Sequence, residues 1–126
     1  MGKTLATQRS LAYLRRNGWT ACIVEKYLPV RGSMKFPRRI DAFNIGDILA
    51  CNPLPRPGRE DGGSIALVQT FPLARWKDHE AKILAIPEFQ KWKEAGGIVL
   101  LHGWVFKPKD GIRGNRKVWT LREQIL

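Results

Sequence analysis

Leu5, Leu11, Ala12 and Leu14 recur at helical spacing, and Asn17-Gly18 supplies a stop, so residues 4–17 are predicted to form a helix. Its polar side carries Arg9, Arg15 and Arg16. Residues 19–30 are rich in Trp, Ile, Val, Tyr and Leu, interrupted by Glu25 and ended at Pro29, which predicts a strand. A basic connector with Gly32 and Pro37 spans 31–43, and residues 45–51 form a second predicted strand with Asp47 inside it. The prolines and glycines of 53–63 mark a loop, and SIALVQTF (64–71) is a third strand, with Gln69 near its end. The period then changes. Over 73–85, Trp76, Ile83 and Leu84 fall on one side and Arg75, His79 and Lys82 on another, the pattern of an amphipathic helix. Pro87 restarts a helical turn through Trp92, Gly96-Gly97 ends it, and 98–106 and 117–121 are the last predicted strands, joined by a basic, Gly-rich loop. Strands before and after a helix point to an α/β fold with a central mixed β-sheet flanked by helices, in a single domain over 1–126.

Composition narrows the function classes. With 44% apolar residues the 126-residue chain has material for a core, and its longest apolar runs fall far below the roughly 18 residues of a membrane span. The start, MGKTLATQRS, lacks a secretory apolar run, and two cysteines make a sparse disulfide framework, so a cytoplasmic setting is expected. A net charge of +11 on so small a body attracts polyanions, nucleic acid foremost. Arg31, Lys35, Arg38 and Arg39 crowd one connector, and Lys107, Lys109, Arg113, Arg116 and Lys117 another. Both could grip phosphates, or serve as solvated surface that touches nothing.

Acidic residues stand where a core would not want them. A carboxylate among Ile45, Ile48, Leu49 and Ala50 is costly unless something compensates Asp47. Together with Glu25 and Asp41 it could form an oxygen-lined site for a hard divalent cation, with Gln69 adding a neutral carbonyl oxygen. Pairing of Asp47 with Arg38 or Arg39, and capping of a turn by Asp41, explains the same residues equally well. Other chemistries fit worse. His79 and His102 lack partners at zinc-ligand spacing, Ser10, Ser33 and Ser64 lack a nucleophile elbow, and Gly111 to Gly114 match no phosphate-binding loop. Cys22 and Cys51 alternate with apolar neighbours and read as buried small hydrophobes. The five tryptophans read as core before base-stacking platforms.

The segment RRIDAFNIGDILAC followed by SIALVQTF resembles the PD-(D/E)XK nuclease superfamily, especially its small, phage-encoded Holliday junction resolvase-like members. That resemblance implies a restriction-endonuclease-like αβββαβ core. It places Asp47 at the family's aspartate and Gln69 at its second acid, with Phe71 where a lysine is usual. Lys82 resembles a lysine relocated to the following helix, and Glu25 a replacement for the missing negative charge. The implied activity is Mg²⁺- or Mn²⁺-dependent hydrolysis of phosphodiester bonds in branched DNA. Asp47, Gln69 and Glu25 would be the metal ligands, and Lys82 would orient water or stabilise the phosphate. Arg31, Lys35, Arg38, Arg39 and Arg75 are the candidate nucleic-acid contacts. Symmetric cleavage of a junction implies a homodimer in a bacterial or phage-infected cell, with Leu121, Ile125 and Leu126 as candidate interface residues. The alternatives are a catalytically degenerate nuclease fold that binds DNA, and a small basic RNA-binding protein.

Overall fold

The strand predicted over SIALVQTF carries almost unbroken burial, because it lies at the centre of the sheet with side chains packed on both faces. The computed structural model describes residues 5–28, 38–55 and 62–126. Helix α1 (Leu5–Arg16) leads into β1 (Thr20–Ile23), followed by the short strands β2 (Lys26–Leu28) and β3 (Arg38–Ile40). Then come β4 (Ile48–Asn52), β5 (Ser64–Pro72), a 3₁₀ turn (Leu73–Arg75), α2 (Trp76–Ala85) and α3 (Pro87–Glu94). The chain closes with β6 (Ile98–Pro108) and β7 (Lys117–Ile125). Among the described residues these form an α/β fold around a five-stranded mixed sheet, ordered β1-β4-β5-β6-β7, beside a two-stranded ribbon of β2 and β3. The β5–β6 pair is parallel and every other pair antiparallel, so α2 and α3 serve as the crossover between parallel neighbours.

Two apolar layers sandwich the sheet. On one face Leu11 and Leu14 of α1 meet Ala21, Ile48, Ala50, Ala66, Val68, Ile98 and Leu100. On the other, Trp76 and Ile83 of α2 meet Ile45, Leu67, Phe71, Val99 and Leu101. Helix α1 stops as predicted. Gly18 takes a left-handed conformation (φ 88°), which lets the Trp19 N–H reach back to the Leu14 carbonyl at 3.0 Å and close the helix end. Its buried stripe, however, is Thr7, Ser10, Leu11 and Leu14, while Leu5 is exposed. Two hydroxyls therefore face the sheet from the middle of the helix.

Several expectations are corrected by long-range pairing. The strand predicted over 19–30 breaks after Ile23. The Val24 N–H is taken by the Asp47 carbonyl, and the chain then leaves the main sheet to form β2, whose partner β3 lies in the expected connector. Asp47 precedes β4 instead of lying inside it. Cys22 and Cys51 are exposed. Helices α2 and α3 stand over β5 and β6, so the outer part of that face, with Cys22, Leu49, Cys51 and Ile65, carries no helix among the described residues. Both thiols are therefore expected to react with a disulfide reagent in the native protein without denaturant. A lag until unfolding would place them in the core. Of the tryptophans, Trp76 and Trp104 are buried, whereas Trp119 is 47% exposed on β7. No helix among the described residues is long and apolar enough to cross a membrane.

Candidate functional site

The turn over residues 41–46 sets the site. Phe43 and Asn44 both adopt left-handed conformations (φ 54° and 59°), and the Ile45 N–H closes on the Ala42 carbonyl at 2.9 Å, which gives a tight hairpin turn. Gly46 follows because a Cβ there would stand 2.9 Å from the Val68 nitrogen. The close approach has a consequence for Asp47. Val68 faces Ile48 in the strand register, yet its carbonyl also accepts the Asp47 N–H at 3.0 Å, so two consecutive residues oppose one. This is a β-bulge, a device that re-aims a side chain at a strand end.

The bulge turns the Asp47 carboxyl towards α1. Its Oδ2 accepts the Thr70 hydroxyl at 2.8 Å and the Thr7 hydroxyl at 3.1 Å, and its Oδ1 accepts the Thr70 N–H at 3.3 Å. Only 3% of the residue is exposed. Burial outweighs the three donors and, with help from the charge of Asp41, pushes the Asp47 carboxyl up to about 7. The two threonine hydroxyls also lie 3.1 Å apart, so a protonated Asp47 can donate into the same trio that its anion accepts from.

Across β5, Gln69 faces the other side. With its amide nitrogen towards the acceptors it donates to the Ile45 carbonyl and, at 3.0 Å, to Asp41 Oδ2. Asp41 is half-buried, and desolvation raises its carboxyl, while the Lys82 ammonium and the Gln69 amide pull it back. Lys82 thus reaches the site through Asp41. His79, one turn earlier on α2, stacks on Phe71 with ring centroids 4.4 Å apart. Burial lowers its pKa, and the nearby charges of Lys82 and Arg75 lower it further. Phe71, at the position where the family resemblance expects a lysine, holds the imidazole instead.

The structure therefore groups Asp41, Gln69 and Lys82 on one face of β5 and leaves the Asp47 carboxyl on the other, where the charge of Asp41 still reaches it. Glu25 lies half-buried just past β1, next to the residue that pairs with the Asp47 backbone. Among the described residues no three acids, histidines or cysteines converge as a metal-binding group. The oxygen donors on the Gln69 side of β5 are the Asp41 carboxyl, the amide and the Ile45 carbonyl, with the Asp47 carboxyl across the strand. With the Gln69 amide turned over, its oxygen would face Asp41 Oδ2 and the Ile45 carbonyl, an orientation that only a cation between these oxygens would favour. Arg75 pairs with Asp78 at 3.1 Å on the surface. Arg31 and Lys35, and the side chains of Arg38 and Arg39, lie outside the described residues.

A second polar cluster escaped the sequence. Ser10 Oγ accepts the Trp104 indole N–H at 2.8 Å and lies 2.8 Å from His102 Nδ1, while His102 Nε2 lies 2.8 Å from Glu123 Oε2. Trp104 can only donate, so the arrangement is satisfied throughout when Ser10 donates to Nδ1 and Nε2–H donates to Glu123. The connectivity is that of a hydrolase triad. Ser10 and His102 are, however, completely buried, and the serine oxygen is already engaged by the indole, so the chain of bonds ties α1 to β6 and β7. The only hint in the sequence was a serine at a core-facing helical position.

No protein-family model, curated protein or solved structure matches the chain.

Proposed function

We propose that the protein is a metal-dependent, structure-selective DNA endonuclease of the Holliday junction resolvase type, built on a restriction-endonuclease-like core. One observation carries this reading. Helix α1, three antiparallel strands (β1, β4, β5), the helical crossover and the parallel strand β6 follow the αβββαβ order, and the acid and amide of that core stand at the bulged start of β4 and near the end of β5. Lys82, from the crossover helix, acts on Asp41 beside Gln69.

In this scheme Asp41 and Gln69 would hold Mg²⁺ or Mn²⁺ on their side of β5, and Asp47 would join them only by turning its carboxyl away from the threonine pair, the cation's charge then replacing the protons that burial favours. When bound, the cation would polarise the scissile phosphate and acidify water. Lys82 offers an ammonium to the phosphate as negative charge grows on it. Thr7 and Thr70 hold the Asp47 carboxyl at a fixed angle on the α1 face, just before β4. Two sites facing one junction require a homodimer. Leu126 is committed elsewhere, packed on the α2-side core with its N–H on the Val99 carbonyl, which leaves Leu121 and Ile125 as candidate interface residues.

The test uses labelled four-way junction, linear duplex and structured RNA, each with Mg²⁺ or with EDTA. Mg²⁺-dependent nicks near the branch are expected. Lys82→Met should slow cleavage by about 100-fold with junction affinity nearly unchanged. Junction binding without cleavage would favour the catalytically degenerate DNA-binding alternative, for which the Gln69–Asp41 hydrogen bond and the Phe71–His79 stack already speak. Preference for RNA would remove both.

A further inference from the structure

Strands β6 and β7 form an arm that outruns the sheet. Pairing of β5 with β6 ends at Pro72 and Trp104, while β6 and β7 stay paired out to Pro108 and Lys117. Six residues separate His102, level with Thr70, from Pro108, so the arm reaches roughly 20 Å past the candidate site. A two-stranded ribbon of this kind gains little from its own hydrogen bonds and exposes what it carries.

What it carries is an aromatic pair within a ring of cations. Phe106 and Trp119 are register partners on the α1 face, their ring centroids 5.2 Å apart and their planes at 45°. Phe106 is 50% exposed and Trp119 47%. The Arg9 guanidinium lies over the Trp119 ring at 3.4 Å, which extends the flat surface onto α1 two residues from Thr7, the partner of Asp47. Lys107, Lys109, Arg113, Arg116 and Lys117 surround the tip, all exposed, with Asp110 the one acid among them. Exposed aromatic rings interleaved with Lys and Arg are the surface that stacks unpaired bases and grips their phosphates. Paired bases inside a duplex hide their faces, so such a surface distinguishes branch points and single strands from continuous duplex.

We propose that the β6–β7 arm is a second nucleic-acid site, in which Phe106, Trp119 and Arg9 stack on base faces left open at a DNA branch or in a single strand while the cations of the tip hold the flanking phosphates. This rests on the reading of the protein as a DNA-binding enzyme. It adds the feature of DNA that is recognised and the residues that recognise it.

Affinities for single-stranded DNA, a four-way junction and a relaxed, covalently closed circular duplex, which has neither ends nor loops, test this. Trp119→Ala and Phe106→Ala are expected to weaken single-strand and junction binding about ten-fold and closed-duplex binding less than two-fold, with Trp119→Phe recovering most of the loss. Replacing Lys109, Arg113 and Arg116 by Gln should weaken all three ligands together and reduce the salt dependence. Wild-type protein that binds the junction, with a Trp119→Ala variant that binds it equally well, would overturn the arm alone. So would an equal loss on all three ligands, or a loss of dimer mass in the alanine variants with DNA preference unchanged. Wild-type protein that binds none of the three would remove the nucleic-acid reading and the arm together.

Discussion

Asp47→Asn is expected to stabilise the protein at pH 8, by about 4 kcal/mol at most, and to remove the proposed metal-dependent cleavage in the same step. The carboxyl titrates near 7 in the folded chain, against 3.8 for the ordinary group. Between these values the folded state holds a proton that the unfolded state has released, so stability falls as pH rises. The contribution of the protonated carboxyl is whole below about pH 4, is lost progressively up to about pH 7, and stays lost above it. Asp41 is raised too and adds to the slope in the same direction. An asparagine has nothing to titrate. Its oxygen can accept the Thr70 N–H and its nitrogen can donate to the threonine hydroxyls, so the trio stays bonded.

Melting curves from pH 3.5 to 8.5 check this directly. Wild type should lose about 10 °C relative to Asp47→Asn over the interval, and the two should converge at the acid end. Mg²⁺ at pH 8 should raise the wild-type melting temperature and leave that of Asp47→Asn nearly unmoved, because a cation that binds the folded state alone stabilises it. Parallel curves would mean that Asp47 is solvated in the folded protein, and the proposed cation role would lose the buried carboxyl it draws on. Such a trade between stability and chemistry is what the proposed cation role of Asp47 would require.

Ser10→Ala should be the most damaging single-atom deletion one turn further along the buried stripe of α1. It removes the oxygen that accepts the Trp104 N–H and leaves His102 Nδ1 without its partner, both in buried positions. Two unsatisfied buried groups cost about 2 to 5 kcal/mol together, readable in urea unfolding as a lower midpoint with unchanged slope. Glu123→Gln should cost less, since the Glu123 side chain remains one-third exposed and water can replace part of what is lost. Because Thr7 lies one turn from Ser10, a loosened α1 would also release the Asp47 trio. Ser10→Ala should therefore lower cleavage alongside stability, whereas Asp47→Asn separates them. A Ser10→Ala protein as stable as wild type would show that the buried bonds contribute nothing net.

The elements whose evidence is local were legible in the chain. Residues of α1, β5, α2 and β6 declare themselves by periodicity and by their Gly or Pro boundaries, because the choice between 3.6- and 2-residue repeats is made within one turn or one pleat. The cost of Asp47 was legible too, since a carboxylate among Ile45, Ile48 and Leu49 is anomalous wherever they pack.

Tertiary structure decided which groups meet. Val24 yields to the Asp47 carbonyl and ends a strand that composition alone would have continued to Val30. Asp41 and Lys82, far apart in the chain, meet beside Gln69 only because a left-handed turn and a crossover helix end at the same sheet edge. Cys22 and Cys51 alternate with apolar residues as buried positions do, yet whether a helix covers their face depends on where α2 and α3 lie. Ser10 finds His102 across 92 residues. A sequence by itself determines what each segment prefers, through steric and periodic rules that act over a few residues. Which hydroxyl satisfies which buried carboxyl depends on strand register and helix placement, and those exist only once distant segments share one core.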